Sequence, residues 1–252
     1  MNKKVRNLLI VCLALIAVGG IGYVVYYMVS LNQNEDVYQE AREVAKPEPA
    51  EEPAAEEPET VIPIDFEALW EMNPDVYAWI EIPGTQVDYP ILQSPTDDGY
   101  YLNHNLDGSE GYPGSIYTES VNGKEFEDFN TVIYGHNMKD GTMFGDLHEY
   151  EDSAFLEENS QVIIYTPEKK LTYQIFAAVV YDDRHIMKSF NFEAEDGRQE
   201  FLDSLNTLRD MRSYIDSDVA VTTSDRIITM STCIGSEDNH RYLVEAVLVN
   251  EE

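Results

Sequence analysis

Arg226-Ile-Ile-Thr-Met-Ser-Thr-Cys233 and Arg241-Tyr-Leu-Val-Glu-Ala-Val-Leu-Val249, with the seven residues that separate them, set the architecture of this chain. Both runs are short and rich in β-branched and apolar side chains, so each reads as a strand. The link Ile234–His240 contains Gly235 and polar residues and reads as a hairpin loop. Paired as a hairpin, the two strands make Cys233 and Arg241 cross-strand neighbours, with Cβ atoms about 5 Å apart.

Toward the N-terminus, strands of the same kind are predicted at Tyr77–Ile82, Val87–Leu92, Ser115–Thr118, Thr131–Tyr134, Gln161–Thr166, Leu171–Tyr181 and Asp218–Thr223. Pro83-Gly84, Asp107-Gly108, Pro113-Gly114 and Asn122-Gly123 mark turns between them. Helical signals are few. Asp65 is placed to cap a short opening helix, with Ile64 and Leu69 as a hydrophobic staple. Phe201, Leu205, Leu208 and Met211 recur at helical spacing across Glu195–Arg212, and a turn of helix is expected after Gly141. Strands and helices do not alternate, which argues against a parallel doubly wound sheet. The expected fold is mostly β, a largely antiparallel barrel or sandwich with peripheral helices.

The first sixty residues differ from the rest. Leu8 to Val29 contains no charge, and as a helix it spans about 33 Å, close to the hydrocarbon thickness of a bilayer. Lys3, Lys4 and Arg6 precede it and no base follows until Arg42, so the positive-inside rule puts the N-terminus in the cytoplasm and the remainder outside. A cleaved signal peptide is the rival, but the run is long for one and Val29-Ser30-Leu31 is a poor cleavage site. Residues 30–60 hold ten acids against Arg42 and Lys46, with Pro, Glu and Ala repeated to Glu59, and are expected to form an extended, solvated stalk. The organisation is therefore an anchor at 1–29, a stalk at 30–60 and an outer domain at 61–252.

The formal charge of −32 over 252 residues excludes nucleic acid as a partner, because phosphate contacts need clustered Lys and Arg. Two cysteines, Cys12 and Cys233, cannot make a disulfide framework, and neither belongs to a zinc-type pair. Cys12 falls within the apolar run. Cys233 is then a lone thiol in an oxidising compartment, either an inert small hydrophobe or a nucleophile. A guanidinium beside it at Arg241 favours thiolate and can stabilise an oxyanion. Thiolate chemistry also calls for an imidazole. Of His104, His136, His148, His185 and His240, His136 has the best context, because Thr131-Val-Ile-Tyr-Gly-His-Asn-Met138 is a strand running through a glycine into the ring.

These residues resemble a known family. Tyr134-Gly-His-Asn-Met138, Thr229-Met-Ser-Thr-Cys233 and Arg241 eight positions on are similar to the motifs of the sortases. Asn73-Pro-Asp75, Trp79-Ile80, Pro83-Gly-Thr85, Asp88-Tyr-Pro90, Tyr101-Leu-Asn103 and Thr142-Met-Phe144 resemble class B in particular, over roughly residues 62–250. The resemblance implies a closed β-barrel of about eight strands, with an N-terminal helix and a helix inserted before the last two to three strands. It implies a membrane-anchored cysteine transpeptidase of Gram-positive bacteria. Cys233 would be the nucleophile, His136 the general acid and base, and Arg241 the group that holds the substrate backbone and the oxyanion. Asn103, Tyr134, Ser231 and Ile186 would line the groove for the substrate.

The implied partners are surface proteins with a C-terminal sorting motif, cleaved after Thr, and an amine of a lipid-linked peptidoglycan precursor. A thioester keeps its acyl-transfer potential, so neither a cofactor nor a metal is called for. A pilin lysine as acceptor, or a catalytically silent binding module on the same scaffold, are the alternatives. A papain-like protease has the opposite order of Cys and His. An L,D-transpeptidase would show a Ser-x-Gly-Cys pattern, which is missing.

Overall fold

A computed structural model describes residues 2–46, 62–207, 210–235 and 237–252. Its strands are β1 (Val76–Glu81), β2 (Asp88–Leu92), β3 (Ile116–Thr118), β4 (Asn130–Tyr134), β5 (Gln161–Tyr165), β6 (Lys170–Asp182), β7 (Tyr214–Ile215), β8 (Ile227–Ile234) and β9 (Glu237–Glu251). They follow the order β5-β1-β2-β3-β4-β8-β9-β6-β7. A further β5–β6 pairing joins the ends, so eight strands close into a barrel and β7 lies outside on β6. Most pairs are antiparallel; β2–β3 and β4–β8 are parallel. The mostly β class, the closed eight-stranded barrel and the helix ahead of the last strands all stand as expected.

The helices are α1 (Lys3–Ala45), α2 (Phe66–Met72), α3 (Ser153–Glu158), α4 (Ile186–Ser189) and α5 (Glu195–Ser204). Asp65 caps α2 as expected, accepting from the Ala68 amide at 3.0 Å, with Ile64 and Leu69 both buried. Three expectations are corrected. Asp218–Thr223 is not a strand: Asp225 takes the amide and hydroxyl of Thr222 at 2.7 and 2.8 Å, a local turn that competes with a ladder. α5 stops at Ser204, whose hydroxyl turns back to the Phe201 carbonyl at 2.6 Å, and Met211 is fully exposed. Leu208 lies outside the described residues. The helical turn after Gly141 begins later, as a 3-10 helix over Gly145–Glu151, because Met143 holds a left-handed φ of 55°.

β8 is buried along almost its whole length. Alternate side chains point to opposite faces. Ile228 and Met230 face the barrel core with Ile133, Val244 and Ala246. Ile227 faces outward, into a second cluster of Val132, Leu243, Val247, Phe190 and Phe201 that α5 covers. Cys233 and Ser231 share the outward parity, so the thiol belongs to the layer between barrel and helix, at its open end.

The stalk expectation also changes. The helix α1 continues through residues 30–45 instead of giving way to extended chain. The first proline after it is Pro47, and Tyr38, Ala41 and Ala45 recur at helical spacing and are buried on the barrel. Tyr38 donates to the Gly114 carbonyl, lies 3.1 Å from the Ser115 hydroxyl and meets the Tyr89 ring edge-on. Lys46 pairs with Asp88 at 2.7 Å and Glu81 at 3.2 Å. The Asp65 amide then donates to the Ala45 carbonyl at 2.8 Å. The described segments on either side therefore meet at Ala45 and Asp65; residues 47–61 lie outside the described residues. At the other end, Lys3–Val25 is long and apolar enough to cross a membrane, with a mean hydropathy of 2.7 over its most apolar 18 residues.

Candidate active site

Two strand ends build the site. β4 runs parallel to β8 with Tyr134 opposite Ser231, and β8 pairs with β9 so that Cys233 faces Arg241, the cross-strand pair expected from sequence. The loop is shorter than expected. β9 begins at Glu237, and the register shifts between Cys233 and Ile234. Beyond Tyr134 the strand passes through Gly135, where a Cβ would come within 2.5 Å of Ile116 and 2.6 Å of Phe144. Only glycine allows that approach, and it delivers His136 to the site. The Gly135 amide bonds the Ser231 carbonyl at 3.2 Å, and the Thr232 hydroxyl donates to the Gly135 carbonyl at 2.8 Å.

Cys233, His136 and Arg241 line one cavity of about 390 Å³. Tyr134, Ser231 and Ile186 line it too. Asn103 does not: it is exposed at the end of a 3-10 turn (Tyr100–Leu102), and its neighbour Leu102 takes its place in the wall. Cys233 is exposed. The Arg241 guanidinium donates through Nη1 to the His240 carbonyl at 2.8 Å, and the side chain lines the cavity.

The His136 imidazole is half-buried, with Nε2 at 2.8 Å from the Leu102 carbonyl. A carbonyl only accepts, so Nε2 carries the proton and Nδ1 keeps the lone pair of the neutral ring. Burial pushes the imidazole pKa down, and the Leu102 bond opposes that shift in part. The Tyr112 ring lies 4.7 Å from the imidazole. A neutral base beside an exposed thiol, with a guanidinium across the strand, is a set suited to acyl transfer through a thioester.

Sequence reading missed several neighbours. Glu119, Asp182 and Asp183 form an acidic wall of the cavity, with His185 paired to Glu119 at 2.8 Å and Arg184 to Asp182. Asn137 and His148 both reach the carbonyl of Cys233. Asn137 was within reach, as the residue after His136. His148 carried no signal, because its contact spans 85 positions. Among the described residues no cluster suited to a metal occurs.

The sortase domain model matches residues 80–249. Sortase B of Listeria monocytogenes is 38% identical over 186 residues, which is 73% of each chain. A solved sortase B from B. anthracis superposes with a TM-score of 0.73 at 29% identity, covering 88% of this chain and 99% of that one. Sortase B of Staphylococcus aureus, solved as a substrate complex, gives a TM-score of 0.64 at 34% identity over 73% of this chain and 84% of its own. A sortase B complexed with triglycine gives the same score and identity, over 73% of this chain and 85% of its own. Barrel, cavity and kinship agree: the chain belongs to the sortase family, as a class B cysteine transpeptidase.

Proposed function

We propose that Cys233 attacks the carbonyl carbon of a Thr within a C-terminal sorting motif of surface proteins. As the sulfur–carbon bond forms, the His136 imidazole takes the thiol proton and becomes imidazolium, and Arg241 holds the oxyanion that the opened carbonyl leaves. The C–N bond then breaks as His136 gives its proton to the leaving amine, and a thioester remains on Cys233. An amine of a lipid-linked peptidoglycan precursor attacks the thioester, His136 takes up the amine proton, the carbon–sulfur bond breaks, and His136 returns that proton to the departing Cys233 sulfur. The observation that carries this reading is the meeting of Cys233, His136 and Arg241 around one cavity. The sortase B complexes with substrate and with triglycine support a peptide donor and an amine acceptor.

In the same proposal Tyr134, Ser231 and Ile186 form the groove wall, and Asn103 acts from its rim. The apolar part of α1 spans the membrane with its N-terminus in the cytoplasm and the barrel outside, which the basic residues before the run support. To test the function, the full chain in detergent is incubated with a library of sorting peptides and an amine nucleophile. Transfer by wild type and none by Cys233→Ala is expected. Equal product from the two, or none from wild type with any peptide, overturns the reading.

A further inference from the structure

The backbone beside the nucleophile is held in an unusual way. The β8–β9 register shifts between Cys233, which pairs with Arg241, and Ile234, which pairs with Glu237, so the ladder is irregular where the thiol sits. Two side chains converge there on the Cys233 carbonyl: Asn137 Nδ2 donates to it at 2.9 Å, and His148 Nε2 lies 3.0 Å away. Both come from the segment that follows β4, on the far side of His136 from the strand.

His148 is itself braced. Its Nδ1 is 2.8 Å from a Glu151 carboxylate oxygen, its ring stacks on Tyr242 at 5.0 Å, and its Nε2 is 2.9 Å from Asn137 Nδ2. The carboxylate only accepts, so Nδ1 donates to it. Nε2 then either donates to the Cys233 carbonyl or accepts from Asn137, and in both arrangements Asn137 still bonds that carbonyl. The result is a clamp that ties the nucleophile's backbone to the residue next to His136.

We infer that Asn137 and His148 are positioning residues for the transfer reaction: they grip the carbonyl of Cys233 where the strand register shifts and so hold the thiol in register with His136 and Arg241. This rests on Cys233 being the nucleophile. Neither residue belongs to the cavity lining, so their loss acts on geometry and not on substrate contacts. Misplacement of a reacting group by about 1 Å is worth up to roughly 100-fold in rate.

The test uses the full chain in detergent with Cys12→Ser as background, so that Cys233 is the single thiol. Asn137→Ala, His148→Ala, His148→Gln and Cys233→Ala are compared. Two measurements are made: iodoacetamide alkylation of Cys233 by mass spectrometry, and transfer of the best library peptide to an amine. For Asn137→Ala and His148→Ala the expectation is a kcat lower by about tenfold or more, KM within about twofold, and an altered alkylation rate.

Glutamine places an amide N–H near the position of Nε2 but lacks the Glu151 pair and the Tyr242 stack. His148→Gln should therefore recover most of the His148→Ala loss. Circular dichroism melts confirm that each variant is folded at the assay temperature, and Asn137→Ala, which leaves the His148 brace in place, guards against a folding defect at His148. An unchanged kcat and alkylation rate in both alanine variants, or a Gln variant no better than Ala, overturns the clamp. Activity retained by Cys233→Ala overturns the nucleophile reading instead, so the two failures are told apart.

Discussion

Beneath the floor of the cavity, on the same outward face of β8 and β9, a carboxyl group is sealed from water. Glu245 is fully buried, and Thr229 donates its hydroxyl to one oxygen at 2.8 Å. The other oxygen is without a partner among the described residues, as is the side-chain nitrogen of nearby Asn130. Burial pushes the Glu245 pKa up to about 8, with the Thr229 bond opposing. The folded state thus keeps a proton that the unfolded state gives up near the ordinary value of about 4.3. The raised pKa fixes the sign. Below about pH 4 both states are protonated and the group is neutral in its effect. As pH rises toward 8 the unfolded chain gains relative to the folded one, at about 1.4 kcal/mol per unit.

Between pH 5 and pH 7 Glu245 therefore destabilises the fold by about 2.5 kcal/mol, and the loss levels off above about pH 8. Glu245→Gln keeps the shape and removes the ionisation. Urea unfolding of wild type and variant at half-unit steps from pH 5 to pH 9 gives the difference curve. All other titrating groups are common to both proteins and cancel. The stability of the variant relative to wild type should rise by about 2.5 kcal/mol from pH 5 to 7, by about 1 kcal/mol more to pH 8, and then flatten. Parallel curves, or a difference of the opposite sign, would refute the argument that this carboxyl is neutral in the folded protein.

Arg241→Lys keeps the charge but loses the planar fork, and kcat/KM should fall by about 100-fold; an unchanged value removes the guanidinium from the mechanism. Because burial pushes the His136 pKa down, an NMR titration of the full chain should place its midpoint below about 6.5, and a higher midpoint contradicts the assigned environment. Tyr38→Ala should lower stability by about 3 kcal/mol in urea melts, since a buried ring and its bond to Gly114 are lost, whereas deleting residues 48–60 should change it by less than about 1 kcal/mol. Comparable losses from the two changes would mean that α1 does not dock as described.

Much of the barrel was legible because strand signals here are local. The Cys233–Arg241 pairing followed from hairpin geometry alone, and eight of the nine expected strands formed near their expected ranges. The failures have specific causes. Asp218–Thr223 has the alternation of a strand, but Thr222 and Asp225 satisfy each other first. Residues 30–45 share the acidic composition of residues 47–60, which hid the helical spacing of Tyr38, Ala41 and Ala45. At the site, Tyr134, Ser231, Ile186 and Asn103 came from family likeness; the first three line the cavity and Asn103 stands outside its wall. The acidic wall and His148 could not be read at all, since contacts between distant segments leave no periodic trace.

The hydrogen bond from Asp65 to Ala45 bears on where this enzyme meets its partners. With the apolar part of α1 in a bilayer, as proposed above, the link from Val25 to the barrel contacts at Val37 and Tyr38 is helix, about 20 Å long. A flexible chain of about thirty residues would let the barrel wander over a volume with a root-mean-square reach of about 30 Å. A helical strut confines it to a thin layer at one height. A search within such a layer is nearly two-dimensional, and it favours partners that are themselves held in the membrane and slide past at the same level.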